Sequence, residues 1–142
     1  MTTPATIIRQ LAIDAGLVSG ASGALWPSYI ATVPDSASVA SDLVSFFDTA
    51  PVIQTRTQDG QVYERSGLQV RVRAASYQAG YAKAQVLGAA FTDVLDRSVT
   101  VDITQYLVHN ISPTSGILPV GMDAEHRWFH FTANFLLTIN GE

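Results

Sequence analysis

The sequence predicts one α+β domain, a mainly antiparallel or mixed sheet with an N-terminal helix and one long central helix packed on one face. Three observations carry this. Residues 67–74 and 127–139 alternate apolar and polar side chains with the period of a strand. Residues 77–95 carry apolar side chains at helical spacing. The strands that cluster after this helix are joined by short turns, which suit antiparallel pairs; parallel neighbours need long crossovers. The chain has 142 residues, the size of one ordinary domain, and can hide roughly 70% of the surface its unfolded form exposes.

The first helix is expected over residues 4–16. Thr3 suits the N-cap, Pro4 suits the first helical position, and Gly16 can end the helix. Ile7, Ile8, Leu11 and Ala15 recur along one side. Residues 19–24 are a loop by composition. Residues 28–33 and 43–48 read as strands, with a Ser/Ala-rich connection at 35–42. The polar stretch 49–66 carries Asp59-Gly60, a hairpin turn signal, and is expected to be a protruding hairpin or a mobile loop.

In 67–74, Leu68, Val70, Val72 and Ala74 share one face, and Gln69, Arg71 and Arg73 the other. Ser76 is placed to cap the central helix. Its predicted apolar stripe is Ala79, Ala82, Val86, Ala90 and Val94, with Leu87, Phe91 and Leu95 beside it. Residues 98–103, 105–112 and 116–122 read as shorter extended pieces. In 127–139, the face with Phe129, Phe131, Ala133, Phe135, Leu137 and Ile139 is the core side.

Composition narrows function. Only 14% of residues are charged, against about a quarter in an average domain. Such a surface is often covered by a partner. The net charge of −4 argues against a grip on nucleic acid, which needs clustered cations. With no Cys there is neither a disulfide framework nor a thiolate metal site. Apolar runs fall far short of the ~18 residues of a membrane span, and the N-terminus lacks a signal-peptide pattern, so a reducing cytoplasm is the expected compartment.

Catalytic chemistry finds little support. His126 and His130 are four apart, but on a strand that spacing covers about 13 Å, too far for one ion, and His109 stands apart in sequence. No Gly-x-Ser-x-Gly elbow or phosphate-cradling glycine loop is present. Asp93 with Asp96, and Asp123 with Glu125, read as a solvated helix end and a turn. No catalytic residue, metal or cofactor is expected.

The candidate contact residues are Arg65, Arg71, Arg73, Tyr77, Tyr81, Trp128 and Asp59. Arg71 and Arg73 point the same way from one strand, with Arg65 nearby. They suit either a neighbour's carboxylates or a solvated face. Tyr77 and Tyr81, one helical turn apart, form either an interface pair or a cover over the sheet edge. Trp128 is either covered by another element or placed at an assembly surface.

The strand Gly67-Leu68-Gln69-Val70-Arg71-Val72-Arg73 running into Ser76-Tyr77-Gln78-Ala79-Gly80-Tyr81 resembles the bacteriophage minor capsid and tail terminator family. The turn Gly121-Met122-Asp123 and the strand Phe131-Thr132-Ala133-Asn134-Phe135 are similar to its C-terminal pattern, and the first helix agrees. Residues 35–66 and 104–120 lie outside the resemblance. It implies a virion subunit that closes a ring, commonly a hexamer, on the tail tube. Such a ring stops tube polymerisation and offers a surface to the head–tail connector. The implied partners are copies of itself, the tube protein and the connector, with DNA passing through unbound and no membrane. An acidic subunit suits such a channel, because like charges repel phosphates. The expected sheet forms the ring wall, and the 49–66 segment orders on docking. The alternatives are a connector or head-completion protein in the neck and, more remotely, a small hydrolase.

Overall fold

The computed structural model describes residues 2–20, 26–33, 42–56, 62–123 and 127–141, which form two helices and seven strands. Helix α1 spans Pro4–Asp14. The Thr3 hydroxyl accepts the Thr6 N–H, as the N-cap pattern requires, and Pro4 opens the first turn. Asp48 adds a second cap from across the fold: its carboxylate accepts the Ala5 N–H at 2.8 Å. A negative charge at a helix N-terminus also opposes the positive end of the helix dipole. Ala5, Ile7, Ile8, Leu11 and Ala12 are buried. The helix stops two residues before the expected end, and Gly16 follows with a φ of 74°, the left-handed turn that glycine adopts without strain.

The strands are β1 (Ser28–Ile30), β2 (Leu43–Arg56), β3 (Val62–Ala74), β4 (Leu95–Val101), β5 (Thr104–Pro113), β6 (Leu118–Met122) and β7 (Phe129–Gly141). Their order is β1-β2-β3-β7-β5-β4, with β6 also beside β7. Five of the six strand pairings among the described residues are antiparallel, three of them between consecutive strands (β2–β3, β4–β5 and β6–β7); β1 lies parallel to β2 and makes the sheet mixed. Strands β2 and β3 form one long hairpin that pairs as far as Arg56 and Val62, so much of the 49–66 stretch is ladder. The Asp59-Gly60 turn lies outside the described residues.

Strands β5 and β6 lie on the same side of β7, one beyond the other. Between them the ladder is bridged by Ser115, whose hydroxyl accepts the Asn134 N–H at 3.2 Å. One helix touches both ends of the sheet: α1 packs on β1, β2 and β3 and also on β4. The sheet therefore curls around it. Helix α2, Tyr77–Thr92, fills the rest of that concave face against β3, β5 and β7. The core alternation expected for β3 and β7 is present, with Leu68, Val70 and Val72 beside Phe131, Ala133 and Phe135.

The stripe predicted for α2 is displaced. Its buried residues are Gly80, Ala84, Leu87 and Phe91, while Ala79 and Ala82 are exposed and Val86 is half exposed. An alanine-rich helix offers little contrast between its sides, so its rotation is set by the two large residues, Leu87 and Phe91. The helix also ends at Thr92 and not at 95. Asp93 caps it, Val94 is buried, and Leu95 starts β4 with its side chain largely in water.

Glycine has opposite meanings at two places in α2. A Cβ on Gly80 would sit 2.6 Å from the Phe131 ring and 3.0 Å from Ala74 Cβ, whereas one on Gly88 would meet nothing within 4 Å. Gly80→Ala should therefore destabilise by about 1–3 kcal/mol through overpacking. Gly88→Ala should stabilise by about 0.5–1 kcal/mol, the helix-propensity difference. Urea unfolding of both variants checks the pair; effects of the same sign would contradict this packing.

Candidate functional site

The helices cover the concave face of the sheet, so the other face must satisfy its own polar groups. On β3 and β7 that face carries Gln69, Arg71, Arg73, His130, Thr132 and Asn134 in direct cross-strand register. Gln69 donates to Asn134 Oδ1 at 3.2 Å, and Arg71 Nε donates to Gln69 Oε1 at 2.9 Å. The result is a hydrogen-bonded polar mat.

The predicted contact residues separate within it. Arg65 donates to Ser112 Oγ at 2.9 Å and Asn110 Oδ1 at 3.2 Å, reaching over β7 to β5, so its guanidinium is engaged inside its own chain. Arg73 is only 2% exposed and lies 3.8 Å above the Trp128 ring, a cation–π stack. Trp128, itself half-buried, covers Arg73 within the chain. Alternation alone places Arg73 on the open face, and the indole removes it from water. Arg71 is exposed. Its guanidinium lies 4.6 Å from the Phe47 ring centre, and it has no carboxylate partner among the described residues. Tyr77 and Tyr81 stack at 6.3 Å and pack edge-on against Phe131, with Tyr77 also against Phe129; the pair covers the end of the core. Asp59 lies outside the described residues.

The histidines are dispersed. His109 Nδ1 donates to Asp96 Oδ1 at 2.8 Å near the β4–β5 pair, and His130 Nε2 lies 3.8 Å from Asp123 Oδ2 on the other side of the sheet. His126 is outside the described residues. Among the described residues no three metal-ligating side chains converge. A groove of about 420 Å³ runs between α2 and the 113–117 turn, lined by Ala84, Gly88, Ala89, Ile117 and Phe135, with no titratable side chain in its wall. Among the described residues no helix is long and apolar enough to cross a membrane.

Sequence reasoning missed the apolar side chains left in water. Strand β6 is exposed at every residue, with Leu118 50%, Val120 64% and Met122 52% exposed. It is an edge strand, paired only with β7, and its Pro119 and a bulge at Val120 are typical edge features. Gly121, φ 123°, carries the backbone through that bulge. The signal was present in Leu118-Pro119-Val120-Gly121-Met122, an alternating apolar run broken by Pro. At the far end of the sheet the β4–β5 turn presents Ile103, 98% exposed, beside Asp102, which adopts a left-handed φ of 55°. Beside β6, Arg71, Val120, His130, Phe131 and Thr132 line a depression of about 180 Å³.

A family model described as bacteriophage tail terminator protein matches residues 15–140. No curated protein matches the chain.

Burial holds the His130 pKa below its ordinary 6.5; Arg73 and Arg71 push in the same direction, and Asp123 opposes them. The unfolded chain therefore binds a proton more readily than the folded one, and stability contributed by neutral His130 is lost as pH falls through 6.5 toward the folded pKa. Melting temperatures measured from pH 8 to 5 should show the parent losing more than His130→Gln across that window. Parallel curves would mean His130 is not desolvated.

Proposed function

The chain belongs to the bacteriophage tail terminator proteins, and from that premise we propose that it is a structural virion subunit whose copies close a ring, a hexamer in the simplest form, on the end of the tail tube. The ring stops tube polymerisation and presents a surface to the head–tail connector. The observation that carries this reading is an outer sheet face that no second layer covers among the described residues, bordered by the exposed β6 edge and by Arg71, which lacks an acidic partner among them. These are features of a surface that a partner covers. A net charge of −4 supports a lumen through which DNA slides without being held. The groove beside α2 holds the hydroxyls of Thr92 and Ser115 but no titratable side chain to act on them as acid or base.

In the ring the sheet forms much of the wall. The distal β2–β3 hairpin reaches toward the tube or connector. Particles assembled without the protein should carry tails of uncontrolled length in electron micrographs. Tails of normal length that fail to join heads would instead make it a connector or head-completion protein.

A further inference from the structure

Two places where apolar and charged side chains stand together in water lie at opposite ends of strand β7. One is the β4–β5 turn, a two-residue connection closed by the Val101–Thr104 pair, with Ile103 98% exposed and the Asp102 carboxylate beside it. The other is the depression beside β6, lined by Val120, Phe131 and Thr132 together with Arg71 and His130. The first is an aliphatic knob with a negative charge. The second is a partly apolar hollow with a positive charge. Among the described residues Asp102 is exposed with no hydrogen bond or ion pair from its side chain, and Arg71 donates only to Gln69.

The two cannot meet within one chain. Tyr106, at the turn end of β5, pairs with Gly141, while the depression lies at His130–Thr132 of the same strand β7. Nine strand residues separate Thr132 from Gly141, roughly 30 Å at 3.3 Å each. A contact between them joins two copies head to tail. A heterologous contact of that kind repeats around a ring if its rotation closes, and grows a filament if it does not.

We propose that the Asp102-Ile103 turn of one copy docks in the Arg71–Val120 depression of the next, with Ile103 against Val120 and the Asp102 carboxylate on the Arg71 guanidinium. This rests on the ring reading above and names the contact that would build it. Charge complementarity selects the occupant. A guanidinium stacked on Phe47 and fixed by Gln69 is already oriented for a carboxylate, and the apolar wall removes water from the pair. His130, held neutral by its surroundings, adds no competing positive charge at neutral pH. Asp123 lies 3.8 Å from His130 Nε2, and no ion pair of Arg71 appears among the described residues.

The test uses the full chain in sedimentation over a range of concentrations, alone and with tail tubes. Arg71→Glu and Asp102→Lys should each raise the concentration needed for assembly tenfold or more, with melting temperatures close to the parent's because both side chains are exposed. An equimolar mixture of the two variants should assemble nearly as well as the parent, since each tip then finds an opposite charge on the other variant. Ile103→Ser should weaken assembly, and no charge change should rescue it. Variants that assemble like the parent, or a mixture no better than its components, would overturn this contact and leave the ring reading standing. A parent chain that assembles neither alone nor on tubes would overturn both.

Discussion

The constraint on which the structure rests is that one short helix must lose its apolar face to both ends of a single sheet. Helix α1 carries Ile7, Ile8, Leu11 and Ala12 along its buried side, and it touches β1 and β2 near one end and β4 at the other. A flat sheet of this many strands could not present both ends to one helix. The natural right-handed twist of strands supplies curvature, and the register shifts between Thr49 and Val52 and between Val108 and Asn110 mark irregularities in the ladder. The Asp48 carboxylate on the Ala5 N–H then fixes the helix end against β2, so cap and curvature support each other. Helix α2 adds the remaining apolar mass, and its Phe91 ring meets both Phe46 and Phe135 edge-on. Lys83 on the same helix lies over Trp26 and donates to the Leu17 carbonyl, tying α2 to the segment that follows α1.

With both helices committed to the concave side, no described residues form a layer over the convex side. It is stabilised laterally instead, by side chains bonding along and across strands: Gln69 to Asn134, Arg71 to Gln69, and Arg65 to Ser112. Each such bond contributes only about 0.5–1.5 kcal/mol net, but together they keep the side chains in fixed rotamers. A surface whose polar groups are already paired loses little conformational entropy on meeting a partner, which is the condition for a specific contact of modest area. The same network decides which cations are available. Arg65 and Arg73 are occupied by their own chain, whereas Arg71 is held in place with its charge still directed outward.

Sequence patterns exposed some of this arrangement and concealed the rest for identifiable reasons. Strands β3 and β7 were legible because period-2 alternation is robust where one face is buried and the other is polar. The caps at Thr3 and Ser76 were legible because they depend on a single side chain and its local backbone. The rotation of α2 was not, because alanine fits either the core or water, and the burial of Leu87 and Phe91 that sets it goes with a close approach of Phe131 to Gly80 that only the tertiary structure shows. The burial of Arg73 was not, because it depends on Trp128, a neighbour only in space. Strand β1 joined the sheet in parallel, a choice that three residues cannot announce. The exposed Ile103 and Val120 escaped notice for a different reason. Apolar residues in short extended pieces are ordinarily read as core, and only the topology reveals that β6 is an edge and that Ile103 is a turn.

These features bear on how a ring could be both specific and controllable. In the head-to-tail contact inferred here, one aliphatic side chain and one ion pair join each copy to the next. Such an interface is small, and an isolated pair of copies bound by it would dissociate readily. Closure changes the arithmetic. Once a chain of copies meets its own start, the last contact is intramolecular, and its effective concentration far exceeds that of free subunits. A tube end that binds several copies side by side would have the same effect before closure. Weak individual contacts therefore favour free subunits in solution and a complete ring on a template. A strong apolar interface would instead promote premature rings or filaments, and the sparse charge of this chain would do little to prevent them. On this view the outer face is left polar, the knob small and the hollow shallow because the assembly must wait for the tube.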